Sequence, residues 1–255
     1  MSAANRIRLL DFSRACAVMA MIFYHFVYDL GDFGYINLFT VINGSWKLFA
    51  QSIGSSFLFI SGFSFWVMAN RGINWSQYLK RLSMLVAAAV LISIATYIQF
   101  GSAFIFFGIL HLLATCSILA IVIYRLPIIF LFFLGLAIYI APEFYFSSDY
   151  YSLEYNESIF SNKFFAWTGL YNGKTGSVDF YAFMPWSAAF VFGLATGKIF
   201  IKSSNMGKLS PLSFKEERTS RPVLAFLWIG RNALLVYLIH QPLLYALFIV
   251  YQRLS

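Results

Sequence analysis

The chain has 255 residues, of which 60% are hydrophobic, 20% aromatic and only 11% charged, and its mean hydropathy is +0.74. Soluble globular domains carry about 25% charged residues, so this composition excludes an ordinary soluble protein and indicates an integral membrane protein. The formal net charge of +8 is therefore explained first by membrane topology, and only second by binding to nucleic acid. The two cysteines, Cys16 and Cys116, lie inside apolar runs, which is not the pattern of a secreted disulfide framework.

Seven segments are long and apolar enough to cross a hydrocarbon core of about 30 Å, which takes roughly 20 helical residues. The apolar core of the fifth has only 15 residues, so we expect its helix to extend past Pro142 or to lie in a thinner region. The run Val223–Ile229 is too short to span and is predicted to be an interfacial or re-entrant lead-in to the last helix. In chain order the predicted spans are Leu9–Leu30, Trp46–Asn70, Leu82–Gln99, Ala103–Tyr124, Pro127–Phe146, Phe180–Phe200 and Asn232–Tyr251.

These spans predict an all-α fold, a polytopic transmembrane helix bundle of about seven spans, forming a single domain over residues 1–255. With the N-terminus inside, 14 of the 18 Lys and Arg residues fall on the inner side, and this bias predicts a cytoplasmic N-terminus. Residues 201–222 then form a basic cytoplasmic loop, and residues 147–178 form a polar outer loop. The basic loop is explained either by topology, which we favour, or by contact with phosphates of a donor.

All three histidines, His25, His111 and His240, lie within predicted spans. A histidine is costly in lipid, so it usually faces the protein interior or a water-filled cavity, where it is either functional or bonded to a neighbouring helix. For His111 both interpretations stay open. For His240 we favour a structural part, because Pro242 frees backbone carbonyls that need hydrogen-bond partners.

The first span carries the most ionisable groups. His25 precedes Asp29 by four residues, so both project from one helical face, where the carboxylate could fix the imidazole tautomer. Arg14 lies about three turns nearer the cytoplasm, with Asp11 three residues before it. Arg14 either snorkels to the headgroups or binds an anion at the inner mouth of a cavity.

A guanidinium near the cytoplasmic face suits a phosphorylated donor, and a neutral histidine deeper in the membrane suits proton removal from a hydroxyl or amine. If the donor is a phosphorylated acyl carrier on one side and the acceptor is a polar group on the other side, the reaction is transmembrane acyl transfer. Asp179, before the sixth span, is interpreted either as an N-terminal cap or as a carboxylate that binds the acceptor. No Walker loop, nucleotide fingerprint or Cys/His spacing typical of a metal site is present in the sequence, so no metal is predicted.

Five stretches in order resemble the heparan-alpha-glucosaminide N-acetyltransferase-like family, in its bacterial members, within the superfamily of transmembrane acyltransferases. Arg14 and His25 match the Arg and His of the family's opening helix. The stretches are RIRLLDFSRACAVMAMIFYHFVYDL, SSFLFISGFSFW, FFGILHLLATCSIL, DFYAFMPWSAAFVFGLATGK and IGRNALLVYLIHQPLL.

The resemblance implies a membrane-embedded acyltransferase that moves an acyl group, by family expectation acetyl, from cytoplasmic acyl-CoA to a hydroxyl or amine of an envelope or extracytoplasmic glycan. On this interpretation His25 is the general base or acyl-relay residue, assisted by Asp29. Arg14 contacts the CoA side, with Arg8 and Arg231 as further donor-binding candidates. Asp179 and His111 are the candidates for acceptor binding, which completes the predicted set of site residues.

The expected co-substrate is acyl-CoA, the expected partners are the bilayer and a polar glycan acceptor, and the expected location is the bacterial inner membrane. Two alternatives use the same residues. A small-molecule transporter or proton-coupled membrane protein would use the intramembrane His and Asp side chains as a proton relay, although inverted repeats are not evident. A non-catalytic membrane partner would tolerate neutral replacement of His25 and Arg14.

Overall fold

The computed structural model describes residues 7–149, 162–171, 173–203 and 220–254, and these residues form helices and connecting segments with no β-strand. The predicted all-α fold is confirmed for this part of the chain. Two short 3₁₀ helices, Gly101–Ala103 and Lys163–Thr168, accompany the α-helices. The α-helices are α1 (Arg8–Asp32), α2 (Leu38–Val41), α3 (Gly44–Asn70), α4 (Trp75–Phe100), α5 (Ile109–Ile123), α6 (Ile128–Asp149), α7 (Phe183–Ser203), α8 (Arg221–Arg231) and α9 (Ala233–Leu254).

Six of the described helices are long and apolar enough to cross a membrane, namely α1, α3, α4, α6, α7 and α9. The chain is therefore an integral membrane protein with several spanning helices. Helix α6 continues through Pro142, which is one of the two outcomes expected from its short apolar core. The run after residue 220 forms the separate helix α8, whose 11 residues give about 16 Å of helix and are too short to span.

The fourth predicted span is shorter than its sequence suggested. Helix α5 begins only at Ile109 and has 15 residues, or about 22 Å of helix. The preceding residues stay outside the helix because their backbone groups bond the segment before α7. The Val178 amide donates to the Ala103 carbonyl at 2.9 Å, and the Tyr181 amide donates to the Phe107 carbonyl at 3.0 Å.

The chain divides into two compact units, Met1–Ile60 with Ser204–Ser255, and Ser61–Ser203. The prediction of a single domain stays a prediction. Residues 150–161 and 172 of the predicted loop 147–178, and residues 204–219 of the predicted loop 201–222, fall outside the described residues.

The first unit contains α1, α2, the first part of α3, α8 and α9, and in it α1 packs against both α8 and α9. Its core is built around the buried side chains of Val18, Met21 and Ile53, with Ile229 and Val236 packed on them. Helix α1 can approach α8 closely because Gly230 has no side chain at the point where the α8 backbone meets the carbonyl group of Asp11.

The second unit contains the remainder of α3 with α4 to α7, and α6 and α7 share its most extensive contact. Gly62 of α3 lies directly against the backbone of α7 at Phe190, where an added side chain would overlap the carbonyl oxygen. Gly62 thus permits the close approach of α3 to α7.

Candidate functional site

Two histidines of the first unit lie side by side. The rings of His25 on α1 and His240 on α9 have centroids 4.9 Å apart and planes inclined at 62°. The His25 side chain is partly exposed, whereas His240 is only 7% exposed. The packing of α9 against α1 thus joins two residues that are 215 positions apart in the sequence, the difference between their numbers.

The surroundings of His240 determine which of its nitrogens carries the proton. Its Nδ1 lies 2.6 Å from the carbonyl oxygen of Tyr237, and a carbonyl can only accept, so Nδ1 is the protonated nitrogen. Its Nε2 is buried and has no hydrogen-bond partner among the described residues. Pro242 would free the carbonyl four residues before it, at Leu238, so the bond to Tyr237 does not compensate for the proline.

Asp29 is paired with an amide rather than with a histidine. The Nε2 of Gln241 donates to the Oδ1 of Asp29 at 2.7 Å, and the Asp29 side chain is almost completely buried, at 1% exposure. The Oδ2 of Asp29 and the Oε1 of Gln241 are buried without a partner in the described part of the chain. The sequence indicated that Asp29 would orient His25, but the described structure contains no hydrogen bond between these two side chains, since α9 supplies Gln241 as the donor.

The start of α1 carries a compact cluster of charge. Asp11, buried at 5% exposure, accepts from Nη1 of Arg14 at 3.0 Å and from Nε of Arg231 at 3.3 Å. Arg8, one turn earlier on α1, is also buried. One carboxylate therefore holds two guanidinium groups. Arg231 joins the cluster because Gly230 lets the end of α8 reach α1.

Helix α1 connects these two polar regions within the first unit. Arg14 and His25 are 11 residues apart on one continuous helix, which corresponds to about 17 Å along its axis. The predicted donor-binding residues Arg8, Arg14 and Arg231 are brought together at its start, and His25 lies beside His240 farther along. Sequence reasoning missed Gln241, whose signal was an uncharged but strongly polar amide inside an apolar span.

In the second unit, His111 has both ring nitrogens occupied. The Gly108 amide donates to Nδ1 at 3.2 Å, and Nε2 lies 3.2 Å from the Ser93 hydroxyl. That hydroxyl donates its proton to the Ile105 carbonyl at 2.6 Å, so it accepts from Nε2 of His111. These bonds cap the start of α5 and attach α4 to the segment that precedes α5. They favour the structural interpretation of His111.

Asp179 lies four residues before α7 begins at Phe183, so the interpretation as an N-terminal cap of that helix is wrong. The hydrogen bonds that join residues 177–181 to the segment before α5 keep this part of the chain out of the helix. Burial raises the pKa of the Asp179 carboxyl from its ordinary 3.8 to about 6, and a hydrogen bond from the Phe180 backbone opposes this rise. A side chain at Gly108 would meet the carboxylate at 3.1 Å.

The predicted residues are thus distributed over both units. The first unit holds Arg8, Arg14, His25, Asp29 and Arg231, while the second unit holds the predicted acceptor residues His111 and Asp179. Across the described residues, no group of three or more His, Cys, Asp or Glu side chains is arranged to hold a metal ion.

Apolar helices of spanning length that carry buried histidine, carboxylate, amide and arginine side chains define a membrane protein with an internal polar site. The family described as Heparan-alpha-glucosaminide N-acetyltransferase, catalytic, matches residues 6–242. The chain belongs to this family and is a membrane enzyme of the acetyltransferase type. Searches of curated proteins and of solved structures give no match.

Proposed function

We propose that this enzyme takes an acetyl group from cytoplasmic acetyl-CoA and transfers it to a hydroxyl or amine of an extracytoplasmic glycan. One observation carries the proposal. A single helix, α1, has an arginine cluster at its start and a histidine and carboxylate about three turns farther on. CoA itself carries its phosphates and its thioester at opposite ends of a long pantetheine arm, so it needs a site with two separated ends.

The arginine cluster forms the donor end of the proposed site. Arg14 and Arg231 meet at one carboxylate, and arginine recognises phosphate oxygens with a planar pair of donors. Arg8 adds a third positive charge nearby on the same helix. Asp11 and Arg8 are buried, which strengthens their electrostatic interactions, whereas Arg14 and Arg231 are partly exposed.

His25 lies at the acceptor end of the proposed site. It acts as the general base or the acyl-relay residue, and its pairing with His240 and the adjacent Asp29 keep the region polar. Asp179 stays a predicted acceptor-binding carboxylate. The bias of Lys and Arg towards the inner side supports a cytoplasmic N-terminus in a bacterial inner membrane, with the donor end facing the cytoplasm.

The donor half of the proposal is tested by calorimetric titration of acetyl-CoA into the purified protein in detergent, with CoA alone as a second titrant. Arg14→Ala should weaken binding by about 10-fold to 100-fold, because a hydrogen bond to a charged group contributes about 1.5–3 kcal/mol. Arg253→Ala is the matched control, since Arg253 is exposed at the end of α9 and lies outside the cluster. It should bind as the wild type does.

Two results would contradict the donor assignment. Equal weakening in both variants would mean that the arginine cluster has no special part in binding. No binding to folded wild-type protein at millimolar acetyl-CoA would favour a transporter or a non-catalytic partner instead.

A further inference from the structure

His240 differs from a histidine that only ties helices together. His111 shows the structural case in this same chain, because both of its nitrogens have partners. In His240 the Tyr237 carbonyl occupies Nδ1 and fixes the tautomer, while the buried Nε2 has no partner among the described residues. A fixed tautomer with a bare Nε2 makes His240 a hydrogen-bond acceptor held in one orientation.

The ring of His25 lies beside the ring that carries this acceptor. An N–H···N hydrogen bond of about 2.9 Å joins imidazole rings whose centroids are about 5 Å apart, which is close to the observed 4.9 Å. The separation of the two rings therefore matches that of a hydrogen-bonded pair. His25 has no other hydrogen bond within the described residues, and Asp29, which was expected to orient it, is held by Gln241.

We propose that His240 is the positioning residue of the catalytic histidine: its Nε2 accepts a hydrogen bond from one ring nitrogen of His25. This inference rests on the proposed acyl-transfer function. A neutral imidazole has one N–H and one lone pair, so fixing the N–H towards His240 leaves the lone pair on the other nitrogen for the acceptor substrate. The arrangement has the logic of a catalytic triad, in which a third group orients the base.

In direct transfer the acceptor attacks the thioester of acetyl-CoA itself. The acceptor oxygen or nitrogen forms a bond to the thioester carbonyl carbon, and its proton moves to the free nitrogen of His25. The carbon–sulfur bond then breaks, and the proton passes from the His25 imidazolium to the CoA thiolate, which leaves as the thiol. His240 neither gains nor loses a proton, and its Nε2 stabilises the imidazolium that forms in between.

The first test is the protonation state of the ring nitrogens, measured by long-range proton–nitrogen NMR on protein labelled with nitrogen-15 histidine. The chain has only three histidines, so a variant lacking each one assigns its signals. We expect His240 to carry its proton on Nδ1 and none on Nε2 at neutral pH. A proton on Nε2 would overturn the proposal, whether or not an acceptor substrate has been found.

The second test compares two substitutions that differ in hydrogen bonding. His240→Leu removes the acceptor atom and puts an apolar side chain in its place, whereas His240→Gln provides an acceptor oxygen. CoA thiol release from acetyl-CoA is followed with glucosamine, galactose, glycerol and water as acceptors. We expect His240→Leu to lose at least about 100-fold in turnover and His240→Gln to lose about 10-fold or less, with acetyl-CoA affinity unchanged in both.

Ile239→Ala is the control for removing a side chain from the same turn, because Ile239 is half-exposed. Melting curves show whether each variant is folded. Equal losses in the Leu and Gln variants, or turnover within threefold of wild type in His240→Leu, would overturn the positioning role. Absence of acetyl-CoA binding in the wild type would instead refute the proposed function, and the inference with it. If the wild type binds acetyl-CoA but uses none of these acceptors, the NMR result decides.

Discussion

Replacing Gly230 by alanine tests the helix contact that builds the arginine cluster. A methyl group at this position would lie 2.7 Å from the Asp11 carbonyl carbon and 3.0 Å from the Ala15 amide nitrogen, and would overlap the Asp11 carbonyl oxygen. Ordinary van der Waals contact begins near 3.4 Å, so α8 must move away from α1 by at least about 0.7 Å. Both contacting groups are helix backbone, which cannot rotate aside as a side chain can.

The size of the effect follows from two opposing contributions. Glycine to alanine inside a helix usually stabilises by about 0.5–1 kcal/mol. Overpacking of a tight contact costs about 1–3 kcal/mol, and a contact with backbone falls at the upper end. We therefore expect Gly230→Ala to lower the free energy of unfolding by about 1–2 kcal/mol, and to weaken acetyl-CoA binding because Arg231 is carried away from Asp11.

The assay is thermal unfolding in detergent, followed by circular dichroism, together with acetyl-CoA titration. At roughly 2–4 °C per kcal/mol for a chain of this size, the melting temperature should fall by about 2–8 °C. Ala225→Val adds two methyl groups at an exposed position of the same helix and should change stability by less than about 0.5 kcal/mol. A melting temperature of Gly230→Ala equal to or above that of the wild type would refute the backbone contact.

Four further substitutions test the polar groups by melting curves. Asp11→Asn should cost about 1–2 kcal/mol, because two partly exposed guanidinium groups lose a shared buried partner. Gln241→Leu should cost about 1–3 kcal/mol by leaving the buried Asp29 carboxylate without its donor, and Asp29→Asn should recover part of this cost. For Asp179 the native pKa of about 6 exceeds the ordinary 3.8, so the folded state binds the proton more tightly. Its contribution to stability should fall by at most about 3 kcal/mol as pH rises from about 4 to 6, and Asp179→Asn should remove that fall.

Each of these predictions has a clear contrary result. An unchanged melting temperature in Asp11→Asn would mean that the two ion pairs contribute nothing to the fold. Strictly additive effects of the Gln241 and Asp29 changes would mean that the two side chains do not interact. A steeper loss of stability above pH 4 in Asp179→Asn than in the wild type would contradict the raised pKa.

The sequence alone determined the spanning helices and the ionisable groups of the first one. Long apolar runs have few ways to satisfy their backbone groups in lipid other than helix, so most spans followed from length and composition. Arg14 and His25 were identifiable because ionisable residues in such a run are costly and are usually functional. The continuation of α6 through Pro142 was one of the two outcomes that the same length requirement allowed.

Only the tertiary structure decided which helices meet and which polar groups pair. The partner of Asp29 is 212 residues away in Gln241, and His240 reaches His25 over a similar separation. Sequence periodicity could not identify these contacts, because lipid-facing and protein-facing sides of a membrane helix are both apolar. The late start of α5 and the position of Asp179 outside α7 likewise depend on hydrogen bonds between distant backbone segments. The identity of the groups is thus local information, whereas their pairing depends on packing that the whole chain must form first.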